Sequence, residues 1–447
     1  MKIVIVGAGA VGTHLAKLFT REKHDITLID ADENRMSSLV SNYDLLTFAA
    51  DPMLISTLRE AEASKADLFV SVTPDESQNL TISMLAKRLG AKQTVARVDN
   101  YEFAAPRNVE LLRSMGVDSV IYPEMLAGEE ICNSIQRSWT RLWLPIKGGA
   151  LTLVGVKVRK GCRLLNIPLR EASQPDSPFH VVAIKRHGET LIPHGDDCLL
   201  ERDVVYFMTT DPRAEYVKEV TGKSDYPEVK KVFFLGGGHV TERALALLPG
   251  HIQAKVFEVN PQKIERLSSI VDDDRIMCIA ADGRSLDVLA EEGIHNAQAF
   301  VATTSSSSTN VLTCLNARKF GVRKTIAMID NSNYMSMADN LDIGTIIDKK
   351  VLAAGKIYQR LLKADVENVK SLTIANADVA EFVVRKGSKV TRHPVKDLSL
   401  PGLVTLGGMV RKGVGVLISG STQLQEGDTV IAFCLEGGMK KLEHFFY

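Results

Sequence analysis

The chain carries two copies of a glycine-rich turn, each placed between an apolar run and a helical pattern and each followed by an acidic residue. The first turn (residues 7–12, GAGAVG) follows the apolar residues 3–6 and precedes Asp30. The second turn (residues 236–241, GGGHVT) precedes Glu258. A turn of this kind lets the helix pack closely on the strand before it. The chain is therefore predicted to contain two Rossmann-like domains, each with a parallel sheet.

The two halves of the chain match beyond these turns. An offset of 231 residues places Ala50-Asp51 on Ala281-Asp282, Phe69-Val70 on Phe300-Val301 and Thr73 on Thr304. It also pairs Asn79, Gly90 and Ala96 with Asn310, Gly321 and Ala327. The offset is 228 between Asp30 and Glu258, and 226 between the two VRKG runs at 158–161 and 384–387. These differences indicate small insertions, which belong in loops of an internal duplication.

The first part of each copy alternates short apolar runs with helical patterns. This order is typical of right-handed βαβ units and a parallel sheet. The predicted strands of the first copy are residues 3–6, 26–30, 45–49, 68–72, 94–97 and 119–121. A helix is predicted over residues 78–89, with Gly90 as its C-cap.

The second part of each copy is richer in β patterns. Residues 181–184 and 204–207 in the first copy, and 430–433 in the second, are short β-branched or aromatic runs between turn residues. We predict an α/β fold with two Rossmann-like doubly wound parallel-sheet domains, each followed by a small α+β domain. The expected domains are residues 1–135, 136–225, 226–365 and 366–447. Residues 124–135 and 350–362 resemble long helices, which either form a domain interface or face the core.

Composition excludes several classes of protein. Lys plus Arg and Asp plus Glu both number 54, so there is no overall positive charge to hold a nucleic acid. No apolar stretch approaches the roughly 20 residues that a membrane-spanning helix needs. The predicted first strand begins at residue 3, which leaves no room for a signal peptide, and a cytoplasmic location is expected. The six cysteines are scattered, which predicts reduced thiols and no metal site.

The residues of the first turn suit a dinucleotide. Gly7 permits the tight turn, Gly9 lets the backbone approach a pyrophosphate, and Gly12 lets the helix pack on the sheet. The phosphates would then meet N–H groups at the positive end of the helix dipole. Asp30 is placed to accept hydrogen bonds from ribose hydroxyls and would repel a 2′-phosphate, which favours NAD(H) over NADP(H). The alternative is a glycine turn needed only for close packing.

Other polar residues follow predicted strands at the same edge of the sheet. Asp51 and Thr73 lie there, and Arg97 either contacts a phosphate or forms a surface ion pair. In the second copy Thr241 replaces the third glycine and Met328 replaces Arg97, so that site is expected to be weaker or differently selective. The hydroxyl-rich residues 305–308 either bind phosphate oxygens or form a solvated loop.

Several runs of the sequence match a known family. They are the first turn, Ala50-Asp51, residues 66–73 (ADLFVSVT), Asp75-Glu76, Asn79-Leu80, Ala86-Lys87 and Ala96-Arg97-Val98. Together they resemble the regulator-of-potassium-conductance (RCK or KTN) family, which usually has Gly-Asp where this chain has Ala50-Asp51 and Ala281-Asp282. Residues 184–188 (IKRHG) and 193–196 (PHGD) look like the C-terminal ligand-sensing domain of that family. The resemblance covers essentially all 447 residues.

Two such domain pairs in one chain are similar to the regulatory subunits of bacterial Trk-type potassium uptake systems. The resemblance implies a homo-oligomeric, tetrameric ring on the cytoplasmic face of the inner membrane, docked on a potassium-translocating subunit of the Trk type. It implies binding of NAD(H) and of ATP or ADP, with no catalytic or metal-binding residues. The candidate cofactor-binding residues are Gly7, Ala8, Gly9, Ala10, Val11, Gly12, Asp30, Asp51, Val72, Thr73 and Arg97, and Gly236, Gly237, Gly238, His239, Val240, Glu258, Asp282, Thr303 and Thr304.

Two alternatives remain from the residues themselves. An NAD-dependent oxidoreductase would need a general acid or base facing the nicotinamide ring. The candidates are histidines in predicted turns or beside the second turn, and none has a counterpart in register in the other copy: His180, His187, His194, His239, His251 and His295. The other alternative is a nucleotide-sensing regulator of a soluble partner.

Overall fold

The structure is a computed structural model of the 447-residue chain. It describes residues 1–21, 24–40, 45–172, 176–270, 274–331, 334, 337–338, 341–364, 370–374, 377–435 and 437–446. Within these ranges no helix is both long enough and apolar enough to cross a membrane. The predicted domain boundary at 365/366 lies outside the described residues.

The first sheet is six-stranded and parallel, with strand order β3-β2-β1-β4-β5-β6. This is the doubly wound order, in which the direction of winding reverses between β1 and β4. The elements are β1 (Lys2–Val6), α1 (Ala10–Arg21), β2 (Asp25–Asp30), α2 (Glu33–Val40), β3 (Leu46–Ala49), α3 (Ile55–Glu60), β4 (Leu68–Ser71), α4 (Glu76–Leu89), β5 (Thr94–Arg97), α5 (Tyr101–Ala104), α6 (Val109–Met115), β6 (Ser119–Ile121) and α7 (Pro123–Gln136).

An antiparallel five-stranded sheet follows, with order β10-β9-β11-β8-β7. Its elements are β7 (Leu142–Ile146), β8 (Leu151–Lys157), α8 (Leu169–Ala172), β9 (Phe179–Arg186), β10 (Glu189–Leu191), β11 (Val204–Thr209) and α9 (Ala214–Val220).

The third sheet repeats the first, with order β14-β13-β12-β15-β16-β17. Its described strand pairs are parallel. The elements are β12 (Lys231–Leu235), α10 (His239–Ala246), β13 (Gln253–Glu258), α11 (Pro261–Ile270), β14 (Ile276–Ala280), α12 (Leu286–Glu291), β15 (Ala299–Ala302), α13 (Ser307–Lys319), β16 (Lys324–Met328), β17 (Thr345–Ile347) and α14 (Lys349–Ala364).

The fourth sheet repeats the second and is antiparallel, with order β18-β19-β22-β20-β21. Its elements are β18 (Lys370–Ile374), β19 (Ala377–Val383), β20 (Val404–Arg411), β21 (Val414–Leu417), β22 (Thr429–Cys434) and α15 (Gly438–Phe446). The expected fold class is confirmed, and every predicted strand of the first parallel sheet is present with its ends within one residue. Helix α4 begins two residues before the predicted start, because the Asp75 carboxylate accepts N–H bonds from Ser77 and Gln78 and caps it there.

The chain divides into two compact units. The first unit comprises Met1–Glu130, Gly238–Leu247 and Ile347–Leu361, and the second comprises Ile131–Gly237, Leu248–Ile346 and Leu362–Tyr447. The second turn is divided by this boundary, since Gly236 and Gly237 belong to the second unit and residues 238–241 to the first. Each unit is described below by itself.

The inner parallel strands, such as β4 and β15, are buried on both faces, which explains why they are continuous apolar runs rather than alternating ones. In the first unit, Val4, Val6 and Phe69 are fully buried in one apolar cluster with Ile82 of α4. In the second unit, the two antiparallel sheets share a cluster that contains Leu153, Val182, Met208, Val379 and Phe433. Burial of such side chains contributes roughly 1.5–3 kcal/mol each, and it is the main term that holds the layers together.

A partly buried charge cluster in the second unit centres on Asp342. Its carboxylate pairs with Arg141, Arg159 and Arg318, which lie before β7, after β8 and in α13. The cluster thus joins the first antiparallel sheet to a helix of the third sheet. Burial alone would raise the pKa of Asp342, but the three guanidinium groups outweigh that effect and lower it.

Candidate functional site

The first turn runs directly from β1 into α1. Gly7 has a left-handed φ of 102°, and its N–H donates to the Ile29 carbonyl at 2.8 Å. A Cβ at Gly12 would lie 1.8 Å from the Gly7 carbonyl oxygen, whereas a Cβ at Gly9 would meet no heavy atom within 4 Å. Gly12 is therefore required by packing, and Gly9 leaves space open at the start of the helix. Within this turn Gly9 is partly exposed and Ala10 is exposed.

Asp30 lies at the end of β2, beside the first turn. Its Oδ2 accepts the N–H of Ala8 at 2.5 Å and its Oδ1 accepts the N–H of Asp32 at 2.9 Å. The carboxylate is only partly buried. The structure thus brings the predicted glycine turn and the predicted acidic residue into direct contact at the carboxyl edge of the parallel sheet, which is the edge where open α/β sheets bind ligands.

Asn79 of α4 connects the ends of the next two strands. Its Oδ1 accepts the Thr73 N–H and hydroxyl, each at 2.8 Å. Its Nδ2 donates to the carbonyls of Thr73 and Arg97, each at 3.0 Å. Asn79 is 1% exposed, so these bonds fix the backbone of both strand ends in a buried environment. Asn79 is among the residues that match the family in the sequence, but the sequence did not predict these hydrogen bonds.

Val72 and Asp51 complete the set predicted for the first copy. The Val72 backbone lies 3.0 Å from the position of a Cβ at Gly7, so it borders the turn directly. Asp51 is exposed, and its Oδ1 accepts the Met53 N–H at 2.9 Å.

Arg97 forms an ion pair in the structure. Its Nη2 donates to Asp99 Oδ1 at 2.9 Å, and its side chain is 26% exposed. Among the described residues its buried Nε has no hydrogen-bond partner. The structure thus shows an ion pair of Arg97 with Asp99, and the contact of Arg97 with a phosphate stays a prediction.

The second copy repeats this arrangement within the second unit. The Gly236 N–H donates to the Phe257 carbonyl at 2.9 Å, and the Gly237 N–H donates to Glu258 Oε2 at 2.8 Å. Glu258 Oε1 accepts the N–H groups of Val259 and Asn260, each at 2.9 Å. Burial would raise the pKa of Glu258, but these donors and Lys263 outweigh it, so the pKa lies below its usual value.

Asn310 repeats the role of Asn79. It accepts from the Thr304 N–H at 3.0 Å and donates to the carbonyls of Thr304 and Met328 at 2.9 and 2.8 Å. The structural equivalence of Met328 and Arg97, expected from the offset of 231, is thereby confirmed. Thr303 is 6% exposed, and its hydroxyl donates to the Leu235 carbonyl at 3.2 Å.

The remaining residues of the second turn belong to the first unit. There Gly238 is the N-cap of α10, followed by His239 and Val240 in its first turn. His239 is exposed and its Nδ1 lies 3.2 Å from Glu242 Oε2, while Thr241 is fully buried.

Three basic residues of the second copy were missed by sequence reasoning. Lys263 Nζ lies 3.8 Å from Glu258 Oε2, and Arg266 Nη2 donates to the Gly237 carbonyl at 3.3 Å. Arg284 makes a two-pronged ion pair with Asp282, with Nε–Oδ1 and Nη2–Oδ2 distances of 2.9 and 2.7 Å. The spacing of Lys263 and Arg266 on α11 was the available signal, since residues three apart share a helix face.

The hydroxyl-rich residues 305–308 have internal roles. Ser306 is the N-cap of α13 and accepts the Thr309 N–H. Ser307 Oγ accepts the Asp330 N–H at 3.1 Å, as Glu76 Oε2 accepts the Asp99 N–H at 2.8 Å in the first copy. The substitution of Asp75-Glu76 by two serines therefore preserves the capping bond and the link to the next strand.

The histidines are not gathered into a site. His180 lies in β9, not in a turn as expected, and burial lowers its pKa to about 4. His187 occupies a turn with φ 49°, and His194 is exposed beside Asp197. The described residues contain no group of three or more His, Cys, Asp or Glu side chains that could hold a metal ion.

Comparison with known proteins identifies the family. The model of the TrkA-N domain matches residues 3–123 and 232–349, and the model of the TrkA-C domain matches residues 153–222 and 379–447. The chain belongs to the TrkA family. This family is regulatory rather than enzymatic, so the chain is not an oxidoreductase.

Similar proteins cover the chain from end to end. The Trk system potassium uptake protein TrkA of Halomonas elongata is 28% identical over 98% of this chain and 96% of its own length. The TrkA homolog of Archaeoglobus fulgidus is 27% identical over 100% of both chains. Among solved structures, the GsuK RCK domain has a TM-score of 0.59 at 16% identity, covering 100% of this chain and 94% of that one. The GsuK channel bound to NAD has a TM-score of 0.59 at 15% identity, covering 100% and 78%. These likenesses establish a shared fold.

Proposed function

We propose that this protein is the cytoplasmic nucleotide-sensing subunit of a Trk-type potassium uptake system. The observation that carries the proposal is the paired contact of a glycine turn with an acidic residue, Ala8 with Asp30 and Gly237 with Glu258, repeated in a chain of the TrkA family. The relatives named for potassium uptake support the process, and a GsuK structure bound to NAD supports the ligand class.

Several features of the first copy support binding of a dinucleotide there. Open space at Gly9 and the exposed N–H end of α1 suit a pyrophosphate, which the helix dipole attracts. Asp30, at the end of the neighbouring strand, would accept ribose hydroxyls of NAD(H). Asp51, Val72 and Thr73 border the same edge, and the partly exposed guanidinium group of Arg97 would contact a phosphate of ATP or ADP.

The second copy would hold a nucleotide with Gly236, Gly237, Glu258, Asp282, Thr303 and Thr304. The second turn has Thr241 where the first has Gly12, and Met328 where the first has Arg97. The loss of one charge-assisted contact is worth roughly 1.5–3 kcal/mol, so the two copies would differ in affinity or preference.

The domains 1–135, 136–225, 226–365 and 366–447 would assemble, from four copies of the chain, into a ring on the cytoplasmic face of the inner membrane. Ligand-induced changes of this ring would control the potassium translocator to which it docks. Shifting a two-state gate from 1:99 to 99:1 takes about 5.5 kcal/mol of differential binding, so four equivalent sites need supply only about 1.4 kcal/mol each. A single contact of the Arg97 type is sufficient for that.

Calorimetric titration of the full chain with NADH, NAD⁺, ATP and ADP tests the ligand part of the proposal. Saturable binding is expected, and Asp30→Ala is expected to weaken NADH binding at least tenfold. Asp25→Ala is the matched control, because Asp25 is exposed at the opposite end of the same strand. No binding of any of the four nucleotides would contradict the proposal.

Potassium flux into vesicles that contain a Trk-type translocator tests the regulatory part. Adding the chain is expected to make flux respond to NADH and ATP, and Arg97→Ala is expected to reduce the response to ATP. A potassium flux that does not change when the chain is added, at any nucleotide concentration, would refute the proposed regulatory role. An unchanged ATP response in the Arg97→Ala variant would show that Arg97 has no part in that role.

A further inference from the structure

The two copies differ in charge around the acidic residue that follows the glycine turn. Six positions of the first copy, 30, 32, 35, 38, 51 and 53, correspond by the offsets of 228 and 231 to 258, 260, 263, 266, 282 and 284. In the first copy they hold three aspartates and one arginine, a formal charge of −2. In the second copy they hold Glu, Asp, two arginines and one lysine, a formal charge of +1.

The contacts of the first copy keep its negative charge next to the turn. Arg35 pairs with Asp32 at 3.0 Å, and among the described residues neither Asp30 nor Asp51 has a basic partner. Position 53, which corresponds to Arg284, is Met53. A phosphate added to a ribose held by Asp30 would therefore face uncompensated carboxylates.

The contacts of the second copy place cations at the same positions. Lys263 faces the Glu258 carboxylate, Arg266 reaches the Gly237 carbonyl, and Arg284 pairs with Asp282. The position of Asp32 is taken by the neutral Asn260. All of these residues belong to the second unit.

Glu258 is more deeply buried than its counterpart Asp30. Both carboxylates accept main-chain N–H groups through both oxygens, but Glu258 is 7% exposed whereas Asp30 is only partly buried. Lys263 and Arg284, by contrast, have side chains that are 46% and 64% exposed, so their charged ends can turn towards a ligand. In Rossmann domains a basic side chain near the ribose is the feature that accommodates a 2′-phosphate.

We propose that the second copy selects a dinucleotide with a phosphate on its adenosine ribose, NADP(H), while the first copy selects NAD(H). The inference rests on the proposed function as a nucleotide sensor and specifies the ligand of its second site. A phosphate monoester carries a charge of about −1.5 to −2 at neutral pH, which the cations of the second copy stabilise and the aspartates of the first copy repel. One chain would then report on both dinucleotide pools.

Titration of the full chain with NAD⁺ and with NADP⁺ tests this directly, because the two differ only in the 2′-phosphate. One NADP⁺ site per chain is expected. In the double variant Lys263→Gln/Arg284→Gln, NADP⁺ affinity is expected to fall at least tenfold, the loss of one charge-assisted contact, while NAD⁺ affinity is unchanged. Arg35→Gln, the repeat counterpart of Lys263→Gln, is the matched control and leaves NADP⁺ affinity unchanged.

A single substitution at an exposed position tests the inference independently of how the double variant folds. Asn260→Asp introduces the charge of Asp32 into the second copy at an exposed position. It is expected to lower NADP⁺ affinity several-fold without changing the thermal midpoint of unfolding. NAD⁺ binding without any NADP⁺ binding, or NADP⁺ binding that all these variants leave unchanged, would overturn the inference. Absence of binding for both dinucleotides would overturn the proposed function itself.

Discussion

Two glycines of the first turn differ in the space that a side chain would have. A Cβ at Gly12 would lie 1.8 Å from the backbone oxygen of Gly7, whereas a Cβ at Gly9 would meet nothing within 4 Å. Packing therefore explains Gly12, whereas no close contact requires a glycine at position 9. Alanine substitutions at Gly12 and Gly9 are therefore expected to separate an effect on the stability of the chain from an effect on nucleotide binding.

We expect Gly12→Ala to destabilise the full chain by about 2 kcal/mol or more, because α1 must move away from the turn. Gly9→Ala is expected to change stability by less than about 0.5 kcal/mol but to weaken NADH binding, since the added methyl group occupies the open space. Calorimetric melting and NADH titration of both variants check this. Equal melting temperatures for the two variants would contradict the packing argument.

His180 gives a pH dependence at a single residue. Its pKa is about 4 in the folded chain, against about 6.5 when unfolded, so the unfolded state binds the extra proton between these values. Stability is therefore expected to fall as pH drops from about 6.5 to about 4, by roughly 2–3 kcal/mol from this group. His180→Leu should flatten that slope in urea unfolding measured at several pH values. His194→Gln, at a histidine that is 69% exposed, is the control and should leave the slope as in the wild type.

At the residue scale, the sequence was sufficient to predict that the glycine turn and Asp30 lie together, because both belong to one strand–helix–strand unit. The ion pair of Arg97 with Asp99 was one of two alternatives, since side-chain conformation decides between them. Lys263 was missed because its contact with Glu258 is defined only when the strand and the following helix are placed together. Arg284 was missed although its partner Asp282 lies only two residues away, since the sequence motif assigned a role to the aspartate alone. The assignment of nucleotide contacts to these residues stays a prediction.

At the scale of elements, each parallel sheet has one helix whose asparagine links the ends of two neighbouring strands. Asn79 of α4 and Asn310 of α13 are 1% and 0% exposed and bind the ends of two neighbouring strands. The strands themselves were predictable because continuous apolar runs between helical patterns are typical of buried parallel strands. The asparagine bonds were not, because hydrophobic periodicity carries no information about a buried amide.

Asn79→Ala and Asn310→Ala are each expected to destabilise the chain by about 3 kcal/mol, since several buried backbone groups lose their partners. Asn34→Ala, at an exposed position of α2, is the control and should cost less than about 0.5 kcal/mol. Scanning calorimetry of the full chain measures all three. A cost near that of the control for either buried asparagine would show that water or a shifted strand replaces its bonds.

At the scale of the whole molecule, the duplication was visible in the sequence, but the connections between its parts were not. The cluster of Asp342 with Arg141, Arg159 and Arg318 joins residues from both halves of the chain. No repeat offset or periodicity pairs them, because contacts between domains depend on how folded surfaces meet.

Asp342→Asn is expected to destabilise the second unit by about 3–5 kcal/mol, because three partly buried guanidinium groups lose their only shared carboxylate among the described residues. Added sulfate or phosphate should restore part of the loss by supplying a counter-charge. Asp287→Asn, at an exposed position of α12, is the control. Melting curves with and without sulfate decide the point, and a variant as stable as the wild type would show that the cluster contributes no net stability.

Asn79 and Asn310 each donate a hydrogen bond to a main-chain carbonyl at the end of the neighbouring strand, that of Arg97 in the first copy and that of Met328 in the second. Because the acceptor is main chain, a mutation of residue 97 or residue 328 leaves the hydrogen bond intact. After duplication of the ancestral gene, one copy could exchange an arginine for a methionine there without losing the hydrogen bonds that hold the strand. Evolution could in this way alter ligand response at this point of the sheet while the fold stayed the same.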